Sequence, residues 1–151
     1  MLKTEIDLHS LIAEERDTIS FDDHENNTHY SFNITKSLQI KSDPFLMTVI
    51  FTNIIENALI FKKPKQLDHE LKISSDEDHD NYYLTFEDNG IGIKDEHLKK
   101  VFDMFYRGSD QSKGNGLGLY STKMSVEKLE GKIQIESTFE EFTRVNISIP
   151  K

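Results

Sequence analysis

Apolar positions along this chain follow helical spacing in some stretches and strand-like alternation in others. In "DLHSLIAEERDTI" they recur at helical intervals, which turns Leu8, Leu11, Ile12 and Ile19 inward. "HYSFNITKSLQIKSD" alternates and predicts one or two strands. The clearest helix is "SDPFLMTVIFTNIIENALIFKKP": Asp43 or Ser42 can cap it, Pro44 suits its first position and Pro64 marks its end. Thr48, Thr52 and Glu56 share one polar stripe and most of the remaining circumference is apolar. That pattern predicts a helix buried on most sides, between a sheet and another layer.

Further on, "HELKISSDEDHDNYYLTFED" predicts a β-hairpin, with Leu71 and Ile73 on one arm, Tyr83, Leu84 and Phe86 on the other, and acidic "SDEDHDN" as the solvated turn. "IKDEHLKKVFDMF" predicts a short helix. "GLGLYSTKMSVEKLEG" predicts another, with Leu119, Thr122, Val126 and Leu129 on one face and Gly131 as its C-terminal cap. "GKIQIEST" and "TRVNISIP" close the chain as a second hairpin. With no repeat and no linker, residues 1–151 are expected to form one domain of α+β class, an antiparallel-rich sheet with helices on one face.

Composition narrows the function. The net charge of −9 argues against general nucleic-acid or anionic-membrane binding. No apolar run approaches the roughly 20 residues that span a bilayer. The absence of cysteine excludes disulfide and thiolate chemistry and suits a reducing cytoplasm. Charge is uneven, however. From Lys99 to Lys132 there are seven basic residues and four acids, so this part is locally positive. Six of the seven glycines also lie within residues 87–123.

Three groups of residues carry candidate chemistry. Asn53 and Asn57, one helical turn apart, share a face at the shoulder of the apolar arc. Such a pair can bond to neighbouring loops, or its oxygens can ligate a hard cation while its NH₂ groups donate to phosphate. In "EDNGIG", Asp88 ends a strand, and Gly90 and Gly92 permit close approach of another backbone or a flat ligand. In "GNGLGL", Gly114, Gly116 and Gly118 lead into a helix whose N-terminal amides favour phosphate. Neither the dinucleotide-binding nor the Walker spacing is present.

The order of these groups, with Phe102 and Phe105 between the second and third, resembles the catalytic ATP-binding domain of bacterial sensor histidine kinases. That family shares its superfamily with gyrase, Hsp90 and MutL. "NIIENALIF" resembles the N box, "EDNGIGI" the G1 box, "VFDMFYRG" the F box and "GNGLGLYSTKMSVEKLEGKI" the G2 box. The resemblance spans about residues 4–150. It implies a two-layer Bergerat-type fold, a mixed sheet with about three helices on one face and a flexible ATP lid over about residues 94–115.

The resemblance also implies roles. Asn53 would bind Mg²⁺ through its side-chain oxygen, and Asn57 would lie by the phosphates. Phe61 would stand beside adenine, Asp88 would accept a hydrogen bond from the adenine amino group, and Gly90 and Gly92 would leave space beside the base. Arg107 would reach the γ-phosphate, making it catalytic together with Asn57. Phe102 and Phe105 would anchor the lid. Lys113, Gly114, Gly116, Leu117 and Gly118 would complete the nucleotide site, with Gly116 and Gly118 offering amides to phosphate. The implied activity is transfer of the γ-phosphoryl group of Mg·ATP to a histidine on a separate dimerisation domain, with ADP as product and a response regulator downstream. The domain would be cytoplasmic, without membrane contact of its own, whether or not its parent protein is membrane-anchored.

Departures from the family pattern matter. Many members carry a basic residue at the position of Ile60, where Lys62 or Lys63 would have to substitute, and a Gly-Thr pair where this chain has Phe142-Thr143. The dimerisation and phosphoacceptor domain is expected to be absent. The family's acceptor His precedes an acid on a dimerisation helix, and none of the six histidines reads as that residue. His9 precedes Ser10, His24 and His79 lie in acidic loop-like stretches, and His29, His69 and His97 read as surface positions. Two alternatives are a stand-alone anti-sigma-factor-type serine kinase and a non-catalytic nucleotide-binding module. Asn53 weighs against the first, since superfamily ATPases and serine kinases usually place a Glu base there, and Glu56 lies on another face.

Overall fold

A computed structural model describes residues 1–21, 28–34, 38–103 and 118–151 of the protein. In chain order its elements are β1 (Thr4–Asp7), α1 (Leu8–Phe21), β2 (His29–Asn33), β3 (Gln39–Ser42), α2 (Pro44–Ile60), β4 (Glu70–Glu77), β5 (Asn81–Asp88), α3 (Asp95–Leu98), α4 (Gly118–Lys128), β6 (Lys132–Thr138) and β7 (Phe142–Pro150).

Five strands form a mixed sheet in the order β2-β4-β5-β7-β6, with β5 at its centre. Only β2 and β4 run parallel; the other pairs are antiparallel, as hairpins β4–β5 and β6–β7 require. One face is apolar. Leu71 and Ile73 from β4, Leu84 and Phe86 from β5, and Val145, Ile147 and Ile149 from β7 are buried in one core with residues of α1, α2 and α4. The opposite face is polar: Arg144 bridges Glu87 and Glu136 across three strands. The expected two-layer α+β architecture, with three helices on one face, is what the chain adopts.

The central helix α2 is built as its sequence predicts. Asp43 is the cap, its Oδ1 accepting the N–H groups of Phe45 (2.9 Å) and Leu46 (3.1 Å), and Pro44 follows at the first position. Leu46, Met47, Ile50, Phe51, Ile54, Ile55 and Ala58 are buried, and the Phe51 ring meets Phe86 of the sheet at 5.8 Å between centroids. Both α1 and α4 pack against α2. Thr52 of the polar stripe donates to the Glu15 carboxylate of α1 at 2.7 Å.

Some expectations change. β1 has no strong sequence signal, yet it pairs antiparallel with β3 as a separate two-stranded ribbon, with Ile6 opposite Ile40. Tyr83 lies on the second hairpin arm as expected, and strand alternation turns it to the outer face, where its hydroxyl donates to Asp78. The α3 helix holds only Asp95–Leu98, and three-residue turns follow to Asp103. The cap of α4 is also corrected. Glu130, not Gly131, takes the left-handed conformation (φ 61°), with Glu130 N–H bonded to Glu127 O and Gly131 N–H to Val126 O. Gly131 is needed for another reason: a Cβ there would overlap the Ser148 carbonyl of β7.

Candidate nucleotide site

Period-two alternation along β5 turns Asp88 to the same side as Leu84 and Phe86, the helix-covered side. As the last residue of the central strand, it places a carboxylate at the end of the apolar layer. Its Oδ1 accepts the Gly90 N–H at 2.9 Å, and no other hydrogen bond to this carboxylate is present among the described residues. Burial pushes its carboxyl up to about 6, against the bond from Gly90, and the neighbouring Glu87 charge pushes the same way. A half-buried acceptor with an unused oxygen is suited to a ligand donor.

The loop after Asp88 is fixed from two sides. Ile91 N–H donates to the Phe61 carbonyl at the end of α2 (2.8 Å), and a Cβ on Gly90 would stand 2.5 Å from that same oxygen. Gly92 has φ +70° and presses against the Thr138 backbone at the β6–β7 turn. The conformational demand on both glycines thus comes from neighbouring backbone. Phe61 itself is 36% exposed at the helix end.

Asn53 and Asn57 are half-buried on α2, and neither side chain makes a hydrogen bond among the described residues. Asn57 faces the first residue of α4: a Cβ on Gly118 would lie 3.7 Å from its Nδ2 and 3.8 Å from its Oδ1. This contact joins the first and last motifs of the sequence. No group of three or more His, Asp or Glu side chains suited to a metal occurs among the described residues. A hard cation here would be met by the amide oxygens and by its ligand's own oxygens, which is how Mg²⁺ is commonly held beside phosphates. The free amides fit that role. Glu56 points to solvent.

Phe102 is half-buried, with the Lys123 ammonium of α4 5.8 Å from its ring centroid. Phe105, Arg107, Lys113, Gly114, Gly116 and Leu117 lie outside the described residues, as does most of the lid stretch. Ile60 is 37% exposed on the last turn of α2. Lys62 and Lys63 are the candidate substitutes for a basic residue there. Lys62 acts on His69, and Lys63 lines a shallow cleft with Pro64, Ile91, Phe139 and Glu140.

His69 is a correction. It is fully buried, on the core side of β4, with Nδ1 2.6 Å from Thr28 Oγ1 and an Nε2 that has no partner among the described residues. Burial and the Lys62 charge lower its pKa, with Asp68 opposing. His24, His69 and His79 do each precede an acid in sequence. His69 is inaccessible, His79 stands in the β4–β5 turn beside Asp80, and His24 lies outside the described residues.

Residues 42–151 match the family described as histidine kinase-, DNA gyrase B-, and HSP90-like ATPase. The chain belongs to this family. Among its relatives are sensor protein RprX of Bacteroides fragilis, 35% identical over 130 residues (80% of this chain, 25% of that protein), and sensor protein SrrB of Staphylococcus aureus, 35% identical over 125 residues (80% and 21%). The chain therefore spans about a quarter of the length of the curated relatives it matches. In fold it is similar to the nucleotide-free catalytic domain of histidine kinase ThkA, with a TM-score of 0.84 at 24% identity over 100% of this chain and 99% of that one. The mycobacterial sensor histidine kinase MprB gives a TM-score of 0.83 at 20% identity, over 99% and 97%.

Two residues at this site escaped the sequence reading. Gln66, 9% exposed, and Asn89 bind one another next to Asp88. Asn89 reads as an ordinary turn residue, and Gln66 is one polar residue in a polar loop, so no periodicity or spacing marks either.

Proposed function

We propose that this chain binds Mg·ATP and donates its γ-phosphoryl group to a histidine on a separate dimerisation domain, as the catalytic domain of a cytoplasmic sensor histidine kinase. The observation that carries this reading is the Asp88 carboxylate, aimed between the layers at the end of the central strand with one oxygen unused among the described residues. Family membership, relatives that are sensor proteins, and the facing of Asn57 and Gly118 support it.

In this reading Asp88 accepts from the adenine amino group and Phe61 covers the base. Asn53 supplies an oxygen to Mg²⁺, which when bound offsets phosphate charge. Asn57 donates to the phosphates, joined by the amides of Gly116 and Gly118 and by Arg107. The acceptor imidazole then attacks the γ-phosphorus as the bond to the ADP oxygen breaks. The chain's contribution is orientation and charge stabilisation, the main demands of phosphoryl transfer.

The isolated chain is expected to bind ATP without labelling itself. Adding the dimerisation domain of its parent kinase should produce acid-labile phosphorylation of that domain, at a rate that rises with its concentration. Acid-labile labelling of this chain alone would refute the assignment of the acceptor to another domain.

A further inference from the structure

The turn that carries Asp88 is gripped by a pair of side-chain amides. Gln66 Nε2 donates to the Asn89 carbonyl at 2.9 Å and lies 3.3 Å from Asn89 Oδ1. Gln66 Oε1 accepts the Lys63 N–H at 2.9 Å, and its own N–H donates to Lys63 O. From the other side, Asn89 Oδ1 accepts the Glu70 N–H (2.8 Å) and Nδ2 donates to Asp68 O (2.9 Å). The β4 side of the segment that links α2 to β4 is therefore tied, through Gln66, Asp68 and Glu70, to the residue between Asp88 and Gly90. The Phe61–Ile91 bond adds a further tie.

Among the described residues the side-chain bonds of both amides go to this loop and turn. Asn89 uses its oxygen and its NH₂ on the loop, and Gln66 uses both ends on backbone. Their arrangement fixes where the strand stops and how Asp88 leaves it. An unpaired buried amide is costly, so the two hold each other in one geometry.

We propose that Gln66 and Asn89 form an amide clasp that positions the Asp88 carboxylate and so sets the purine selectivity of the site. Gln66 and Asn89 are positioning residues, since they touch the turn and not the base. The inference rests on the nucleotide reading above.

The test compares ADP and GDP affinities by calorimetry for the wild type, Gln66→Glu, Gln66→Met and Leu67→Ala. Gln66→Glu keeps the acceptor for the Lys63 N–H but sets a second acceptor against the Asn89 carbonyl. Gln66→Met keeps length and removes the side-chain bonds to Lys63 and Asn89. Leu67 is 82% exposed in the same loop and serves as the control. Thermal melts establish that each variant is folded at the titration temperature. Should Gln66→Met not fold, Gln66→Glu carries the comparison alone.

In folded Gln66 variants the ADP-over-GDP preference should fall by about tenfold, mainly through weaker ADP binding, with Leu67→Ala unchanged. A purely structural role would lower the melting temperature and leave the preference of the folded protein intact. That result would overturn the clasp. If the wild type showed no preference for ADP, the nucleotide reading itself would fail, a distinct outcome.

Discussion

Gly90 lies directly against the carbonyl of Phe61: a Cβ on the glycine would stand 2.5 Å from that oxygen and 2.8 Å from Asp88 Oδ1. The end of α2 and the end of β5 are thus packed backbone to backbone. Gly90→Ala must push the Phe61 carbonyl or the Asp88 turn aside, and should destabilise the chain by about 1–3 kcal/mol. Gly118→Ala meets only ordinary contact distances beside Asn57 and should change stability by less than about 1 kcal/mol. Urea unfolding of both variants checks this, and equal losses would contradict the close approach at Gly90.

Asp88 should weaken the nucleotide-free fold. Its carboxyl is raised from 3.8 to about 6, so between those pH values the folded chain keeps a proton that the unfolded chain releases. Its contribution to stability therefore declines as pH rises from about 4 to 6 and stays low above that. At pH 7.5, Asp88→Asn should stabilise the empty protein by roughly 1–3 kcal/mol while keeping the acceptor for the Gly90 N–H. A variant no more stable than wild type at that pH would show that burial of the carboxylate carries no penalty.

His69 acts in the opposite direction. Its pKa is lowered by burial, so below its ordinary value of 6.5 the unfolded chain takes up a proton that the folded chain refuses. Stability should fall as pH drops below about 6.5, and His69→Leu should flatten that part of the profile. Urea midpoints measured from pH 7.5 to 5 test it; an unchanged slope in the variant would show that His69 is not the group responsible.

The amides of α2 make a separate prediction. Asn53→Ala should weaken ATP binding in Mg²⁺ more than in a chelator, because the lost oxygen is assigned to the metal and not to the nucleotide. Equal loss in both conditions would remove that role.

Much of this protein was legible because its signals are local. The Asp43 cap, Pro44 and the apolar circumference of α2 predict a buried helix, and alternation predicts both hairpins. The Asn57–Gly118 contact is not predicted; the family resemblance only assigns both residues to the nucleotide site. What escaped depends on tertiary context. β1 exists because Ile6 and Ile40 can be buried together, not because "TEID" favours a strand. Glu130 takes the left-handed cap, and Gly131 is needed where the Ser148 carbonyl approaches; neither shows until the helix end and β7 are placed. His69 is buried because it precedes Leu71 and Ile73 on the inward face of β4, a register not visible until the strand's start is known. The Gln66–Asn89 pairing joins residues 23 apart and leaves no periodic trace.

In the proposed function Asp88 reads adenine. An ionised carboxylate there matches the adenine amino group, whereas guanine presents a carbonyl oxygen at the equivalent place and two acceptors would meet. Calorimetric titration of ATP and GTP at pH 7.5 tests this most directly. ATP should bind at least about tenfold more tightly, a gap of about 1.4 kcal/mol, and Asp88→Asn should shrink the gap because its amide can donate to guanine. Equal affinity of the wild type for ATP and GTP would contradict the account.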